Sequence, residues 1–364
     1  MKKIAICILG MVLISLACRL PGLGSAPVKS PISSITSVAA SLTPNPSPTS
    51  SNLFPTISLG PEVTPTPTPG LNPTASSTVA NRAGQIVFVS CQSQNSLGMG
   101  TQCGISIMNA DGSRMRPLTN LDDDIYPSLS PDGRRVAFRS LRRDRNDEIY
   151  VINSDGSNLT RLTNTPGENT APTWSADGSQ IAFRSNLLAP NDPAQIFMYV
   201  MGADGSNPHR FTQSSGFAPR WSLDGSQIVF LTFSNNLTSL NSMNADGTQA
   251  RVIKTNPAKE IQSAVWSPDG TQIAFLSQKT PDDPIEVDLI GADGKNQHSL
   301  TPGYQVVFGG LSWSPDGQKL LFSMHGDGKS LTGALQLYTV DADGSNLNKL
   351  AVSCTYCYDA DWGH

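Results

Sequence analysis

Pro172-Thr173-Trp174-Ser175-Ala176-Asp177-Gly178, followed two residues later by Ile181-Ala182-Phe183, decides the fold, because variants of it recur along the chain. Five turns have the form Ser-x-Asp-Gly: Ser130-Pro131-Asp132-Gly133, Ser175-Ala176-Asp177-Gly178, Ser222-Leu223-Asp224-Gly225, Ser267-Pro268-Asp269-Gly270 and Ser314-Pro315-Asp316-Gly317. Their aspartates are spaced by 45, 47, 45 and 47 residues. A second Asp-Gly turn recurs six times, at Asp111, Asp155, Asp204, Asp246, Asp293 and Asp343. Between the turns lie six short apolar runs that all end in Phe, at Phe88, Phe138, Phe183, Phe230, Phe275 and Phe322. Asp-Gly between apolar runs is a strong hairpin signal, since Gly accepts a positive φ without strain. Pro in the second position of Ser-Pro-Asp-Gly pre-sets a type I turn. Each unit therefore reads as four strands. The first ends at the Trp before the Ser-x-Asp-Gly turn, and the second is the run ending in Phe. The third resembles Ile149-Tyr150-Val151-Ile152, and the fourth resembles Leu159-Thr160-Arg161-Leu162-Thr163. Tandem four-stranded units of about 45 residues, without helical periodicity, specify an all-β propeller.

The count predicts a six-bladed β-propeller with four-stranded antiparallel blades. The first unit starts at Gln85 to Val89, with no Trp-Ser-x-Asp-Gly ahead of it, while the chain ends in Asp359-Ala360-Asp361-Trp362-Gly363-His364. Trp362 lies 49 residues after Trp313, where a further first strand falls. The C-terminal strand is thus expected to complete the first blade and close the ring. All five tryptophans (Trp174, Trp221, Trp266, Trp313, Trp362) occupy this one position, and Leu129 takes it in the second unit. Packing between blades accounts for such a stripe; ligand stacking is the alternative. The Pro-x-Trp-Ser-x-Asp-Gly, Ile-Ala-Phe and Asn-Ala-Asp-Gly elements resemble the TolB-type propeller repeats, a WD-like class, over about residues 83 to 362. The resemblance implies the fold, on which propellers host many unrelated roles. TolB proteins carry a separate α/β domain ahead of the propeller and bind a peptidoglycan-associated lipoprotein; here a proline-rich segment stands in that domain's place.

Composition narrows the class further. The chain has 364 residues, 31 Gly and 27 Pro, and only 15% charged residues, too few for a helical bundle or a disordered polyelectrolyte. A net charge of −4 gives no basic field for nucleic acid. The four histidines (His209, His298, His325, His364) lie far apart, which argues against a multi-His metal centre, and no cofactor or metal is expected. Lys2 and Lys3 precede an apolar run of 13 residues, Ile4 to Leu16, too short to span a membrane as a mature helix. Leu16-Ala17-Cys18 resembles the end of a lipoprotein signal, with Ser15 where the strict pattern carries Leu. Residues 1–17 are read as a signal peptide. Acylation is expected at Cys18, with plain secretion as the alternative. Residues 18–82 are read as a disordered Pro/Ser/Thr-rich tether containing Thr64-Pro65-Thr66-Pro67-Thr68-Pro69, and 83–364 as the propeller. The expected product is an exported monomer of the cell envelope, periplasmic or at the cell surface, held to the membrane by its lipid anchor only.

Strand direction places the candidate sites. The Asp-Gly turns share one face, and the longer second-to-third and fourth-to-first connections share the other: Leu141 to Asp147, Asn186 to Pro193, Lys279 to Pro284, and His325 to Thr332. Variable loops on a rigid scaffold are the usual site of binding. On that face Asp122, Asp123 and Asp124 stand near Arg142, Arg143 and Arg145, a candidate grip for a charged partner or, blandly, a mutually screened patch. Asp282, Asp283, Glu286 and Asp288 lack the spacing of a calcium loop. Cys91, Cys103, Cys354 and Cys357 fall near one seam, and in an exported chain they are read as disulfides, paired locally as Cys91–Cys103 and Cys354–Cys357. Cross-pairing and a four-cysteine zinc site are the alternatives, the latter mismatched by the 12-residue spacing of Cys91 and Cys103. No catalytic motif is present, including Gly-x-Ser-x-Gly. The functional expectation is a non-catalytic propeller that binds a protein or peptide partner through this face or the central channel; the alternative is a secreted hydrolase or lyase acting on a glycan or peptide.

Overall fold

Each Ser-x-Asp-Gly turn closes by the same hydrogen bonds, and these fix where the strands begin. In all five the Ser hydroxyl donates to Asp Oδ1 at 2.6 Å. The same hydroxyl oxygen accepts the backbone N–H five residues on, at 2.9 to 3.0 Å. Gly133, Gly178, Gly225, Gly270 and Gly317 sit at φ of 66–71°, the left-handed region that favours glycine. Donation from the neighbouring Ser, and from the backbone N–H two residues on, holds the Asp177, Asp224, Asp269 and Asp316 carboxyls below the usual range. These repeat aspartates build turns.

A computed structural model describes residues 84–94, 100–142, 145–187, 196–212, 215–234, 237–255, 260–280, 282–329 and 333–363. The signal segment, the tether, Cys18, Arg143 and His364 lie outside the described residues. The strands form an all-β propeller of antiparallel four-stranded blades. One sheet runs Ile125–Leu129, Arg135–Ser140, Glu148–Asn153, Thr160–Arg161. The next three are Asn169–Trp174, Gln180–Ser185, Phe197–Gly202, His209–Arg210; then Phe217–Trp221, Gln227–Ser234, Leu237–Asn244, Arg251–Thr255; then Glu260–Trp266, Gln272–Gln278, Ile285–Gly291, His298–Ser299. The remaining eight strands share one sheet. Val306–Trp313, Lys319–His325 and Leu335–Asp341, edged by Asn348–Lys349, are followed by Tyr356–Trp362, Gln85–Gln94, Gly100–Asn109 and Arg116–Pro117. Within it Tyr356–Trp362 pairs antiparallel with Gln85–Gln94, Trp362 opposite Ile86 and Tyr356 opposite Cys91.

The core lies between neighbouring sheets. The six Phe residues of the second strands, each followed by at least two more strand residues, are at most 3% exposed, and burying each contributes about 2 kcal/mol. They cluster with the Trp of their own sheet's inner strand and with residues of the preceding sheet, as Phe322 does with Trp313 and Val265, and Phe183 with Trp174 and Ala137. Two features differ from the repeat as read. The fourth strand is two residues long in all units but one, because its following Thr leaves the ladder to cap a third strand: Thr119, Thr163 and Thr301 Oγ1 accept the N–H of Ile105, Ile149 and Val287 at 2.8 to 2.9 Å. The inner strands are bulged, with Tyr126 (φ 54°), Ala171 (52°), Ala218 (51°) and Asp359 (57°) in the left-handed region at the register shifts.

Candidate functional site

The inner strands line a central channel whose two ends differ. At the Asp-Gly end the five tryptophans and Leu129 surround a cavity of about 90 Å³. Trp174 Nε1 donates to Ser128 O at 3.1 Å, so that indole bridges two inner strands, whereas the buried Nε1 atoms of Trp221, Trp266, Trp313 and Trp362 have no acceptor among the described residues. Trp313 is 1% exposed.

The opposite end gathers charge. The residue after each of these Phe residues is Val89, Arg139, Arg184, Leu231, Leu276 or Ser323. Val89, Leu231 and Leu276 are fully buried core. At the same position two units carry arginine. Arg139 forms an ion pair with Asp147, both side chains under 20% exposed. Burial pushes the Asp147 carboxyl up and Arg139 pulls it down. Burial depresses Arg184, with Tyr126, Glu168 and Asp147 around it opposing; among the described residues its guanidinium has no hydrogen bond or ion pair. Burial, then the Asp359 charge, pushes the Tyr126 phenol up to about 12, and the same two causes raise Tyr358.

The crossing that carries Glu168 is pinned from below. Glu148 is fully buried. It accepts from the Thr163 hydroxyl, from Thr165 N–H and Asn169 Nδ2 at 3.0 Å each, and from Asn146 Nδ2 at 3.2 Å, and it pairs with Arg161 at 3.0 Å.

Asp359 and Asp361 tie the last strand to a neighbour. Tyr126 N–H donates to Asp359 Oδ2 at 2.6 Å, and Leu129 N–H to Asp361 Oδ2 at 2.9 Å. Trp362 N–H donates in turn to Ser312 Oγ at 3.0 Å. Burial raises the Asp359 pKa from 3.8 to about 6, against the Tyr126 N–H and Arg220. The folded state thus holds the proton more tightly than the unfolded chain, and stability falls as pH rises from about 4 to about 6. Above that window the ionised carboxylate costs the fold roughly 3 kcal/mol. Asp359→Asn keeps an oxygen for Tyr126. It is expected to be more stable than the parent at neutral pH and to lose that advantage near pH 4. Urea melts at both pH values check this; a pH-independent difference overturns it.

The sequence-predicted residues separate here. Asp124 is fully buried and ion-paired with Arg142, whose guanidinium lies over Phe138 and Tyr150 at 5.6 and 5.8 Å. Asp122 Oδ1 accepts from Cys103 N–H at 2.6 Å, while Asp123 and Arg145 are exposed. Asp288 accepts from Ser277 and Gln297, and Glu286 from Gly303 N–H, so these carboxylates serve separate loops. Among the described residues no group of three or more His, Cys, Asp or Glu is arranged to hold a metal. Cys91 faces Cys103 across adjacent strands, with Cα atoms 3.9 Å apart, and the Cα atoms of Cys354 and Cys357 are 6.1 Å apart. The Arg139, Arg184, Tyr126 and Asp359 cluster was not singled out from the sequence; aligning the repeats on their Phe residues exposes its two arginines.

Fold and channel define a β-propeller with a charged mouth. Residues 122–303, half of the chain, match the family described as the TolB beta propeller domain, and the chain belongs to that family. It is 39% identical over 64 residues to dipeptidyl-peptidase 5 of Porphyromonas gingivalis, covering 16% of this chain and 9% of that protein. It is 33% identical over 75 residues to the Tol-Pal system protein TolB of Alcanivorax borkumensis, covering 20% of this chain and 17% of that protein. The chain thus spans a minor part of the length of either relative. The crystal structure of TolB from Acinetobacter baumannii superposes with a TM-score of 0.65 at 18% identity, covering 78% of this chain and 67% of that one, a likeness of fold.

Proposed function

We propose that this chain is a non-catalytic, envelope-associated propeller of six blades, closed by its C-terminal strand, that binds a protein or peptide partner at the charged mouth. The eight-stranded sheet then counts as two blades, linked by the single parallel pair Leu335–Tyr356. The observation that carries the binding reading is Arg184, a cation that makes no hydrogen bond or ion pair among the described residues, at a position where other units bury Val or Leu. Departures from a repeat's own packing rule concentrate at functional sites. Asp359 and Asp361 accept backbone N–H groups, which favours binding over hydrolysis by that carboxylate pair. Relationship to a Tol-Pal system protein supports an envelope location, and the N-terminal segment supports export and an anchor at Cys18.

Arg184→Leu installs the residue that Leu231 and Leu276 represent elsewhere, so the variant is expected to fold. Capture of the partner from envelope extract is expected to drop at least tenfold, and undiminished capture overturns the reading. The covalent proposals share one test. Mass mapping of the non-reduced mature protein is expected to find an acylated Cys18 at the N-terminus and no alkylatable thiol among Cys91, Cys103, Cys354 and Cys357. Four free thiols or a stoichiometric zinc contradicts the disulfides, and an unmodified Cys18 contradicts the anchor.

A further inference from the structure

The two cysteine pairs occupy unlike surroundings. Cys91 and Cys103 lie opposite each other within a sheet, at 0% and 5% exposure. Cys354 lies in the irregular segment before the last strand and is partly exposed, whereas Cys357, within that strand, is fully buried. Two cysteines separated by two residues, the first reachable and the second shielded, form an asymmetric dithiol. The reachable sulfur is open to attack, and the buried one is the leaving and resolving group.

Cys354 also borders a cavity of about 400 Å³, whose walls include Ser90, Cys91, Met115, Pro117 and Val352. That volume falls in the range of small-ligand sites. The backbone around Cys354 is held independently of its sulfur. Gln336 Nε2 donates to Cys354 O at 3.0 Å, Thr355 N–H to Cys91 O at 3.1 Å, and the Thr355 hydroxyl to Gln92 O at 3.0 Å. Opening the Cys354–Cys357 bond therefore leaves the segment seated and the cavity formed.

We propose that Cys354–Cys357 is a thiol–disulfide exchange site that accepts a small thiol or a cysteinyl peptide through this cavity. The inference rests on the disulfide reading of that pair and is independent of the channel-mouth binding function. In the exchange, an incoming thiolate attacks Cys354 Sγ, the bond to Cys357 breaks, and Cys357 leaves as a thiolate that takes up a proton. A second thiol then attacks the mixed disulfide, giving the external disulfide and a Cys354 thiol. Two electrons pass from the two thiols to the protein.

The test equilibrates the full mature protein in glutathione buffers of graded reduced-to-oxidised ratio, followed by acid quenching, alkylation and mapping. Cys354–Cys357 is expected to interconvert reversibly while Cys91–Cys103 stays oxidised in the same samples. With oxidised glutathione, Cys357→Ser is expected to carry the adduct on Cys354, and Cys354→Ser to be modified at Cys357 at least tenfold more slowly, with near-ultraviolet circular dichroism reporting that each variant is folded. Resistance of Cys354–Cys357 equal to that of Cys91–Cys103, or equal modification of both single variants, overturns the proposal. Thiols found free before any glutathione is added would instead contradict the disulfide reading itself.

Discussion

Deleting residues 358–364 is expected to lower the melting temperature by about 10–20 °C. The segment carries most of the strand that pairs with Gln85–Gln94. It buries Asp359, Ala360 and Trp362 at 6%, 2% and 7% exposure. Losing one buried Trp alone costs about 3–5 kcal/mol. The backbone N–H of Leu129 loses its Asp361 acceptor as well, at about 1 kcal/mol. A domain of this size loses about 2–4 °C per kcal/mol. The fit on the other side is close too, for a Cβ on Gly310 would land on the Ala360 backbone. Trp362→Ala is the milder version, expected to retain the fold with roughly half the loss. Scanning calorimetry of both variants decides the matter, and a truncated chain that melts with the parent excludes closure through the C-terminus.

Glu148→Ala is expected to cost about 3–5 kcal/mol, the usual penalty for removing one member of a buried ion pair. The substitution removes the Glu148 carboxylate from Arg161 and takes the acceptor from the Thr163 hydroxyl and the Thr165 N–H, while Asn146 and Asn169 keep acceptors on Thr165 and Gly167. Glu148→Gln keeps the shape and some acceptors, so it should lose clearly less. Because those donors set the 163–169 crossing, the alanine variant should also weaken partner capture by displacing Glu168 from the mouth. Denaturant melts measure the first effect. A glutamine variant as stable as the parent would show that the network carries no charge-dependent stability.

The strands and their order were legible because the repeat states them several times over. The turns were legible for the same reason, since Ser, Asp and Gly each do one job there. The inner-strand bulges were not, because the left-handed residue is Tyr126, Ala171, Ala218 or Asp359, and a sequence offers glycine as the sign of that conformation. Asp124 and Arg142 read as surface charges because they stand 18 positions apart, and only the sheet turns them inward onto Phe138 and Tyr150. Arg184 follows Phe183 and precedes a polar stretch, so it reads as an exposed strand end. Its meaning emerges when it is set against Leu231 and Leu276.

Ile86 near the start of the described chain is paired with Trp362 near its end. Neighbouring strands elsewhere meet within a few dozen residues, so most of the contact network is local and that one sheet is not. Chains dominated by distant pairings fold slowly, because loop-closure entropy is spent before the contacts form. The strands from Ile125 to Lys349 can assemble in order of synthesis, yet Gln85–Gln94 meets Tyr356–Trp362 only after residues 356–362 have been made. Until that moment Gln85–Gln94 offers an unpaired edge to other chains. A chain interrupted before residue 356 would therefore yield an aggregating species rather than a slightly shortened one.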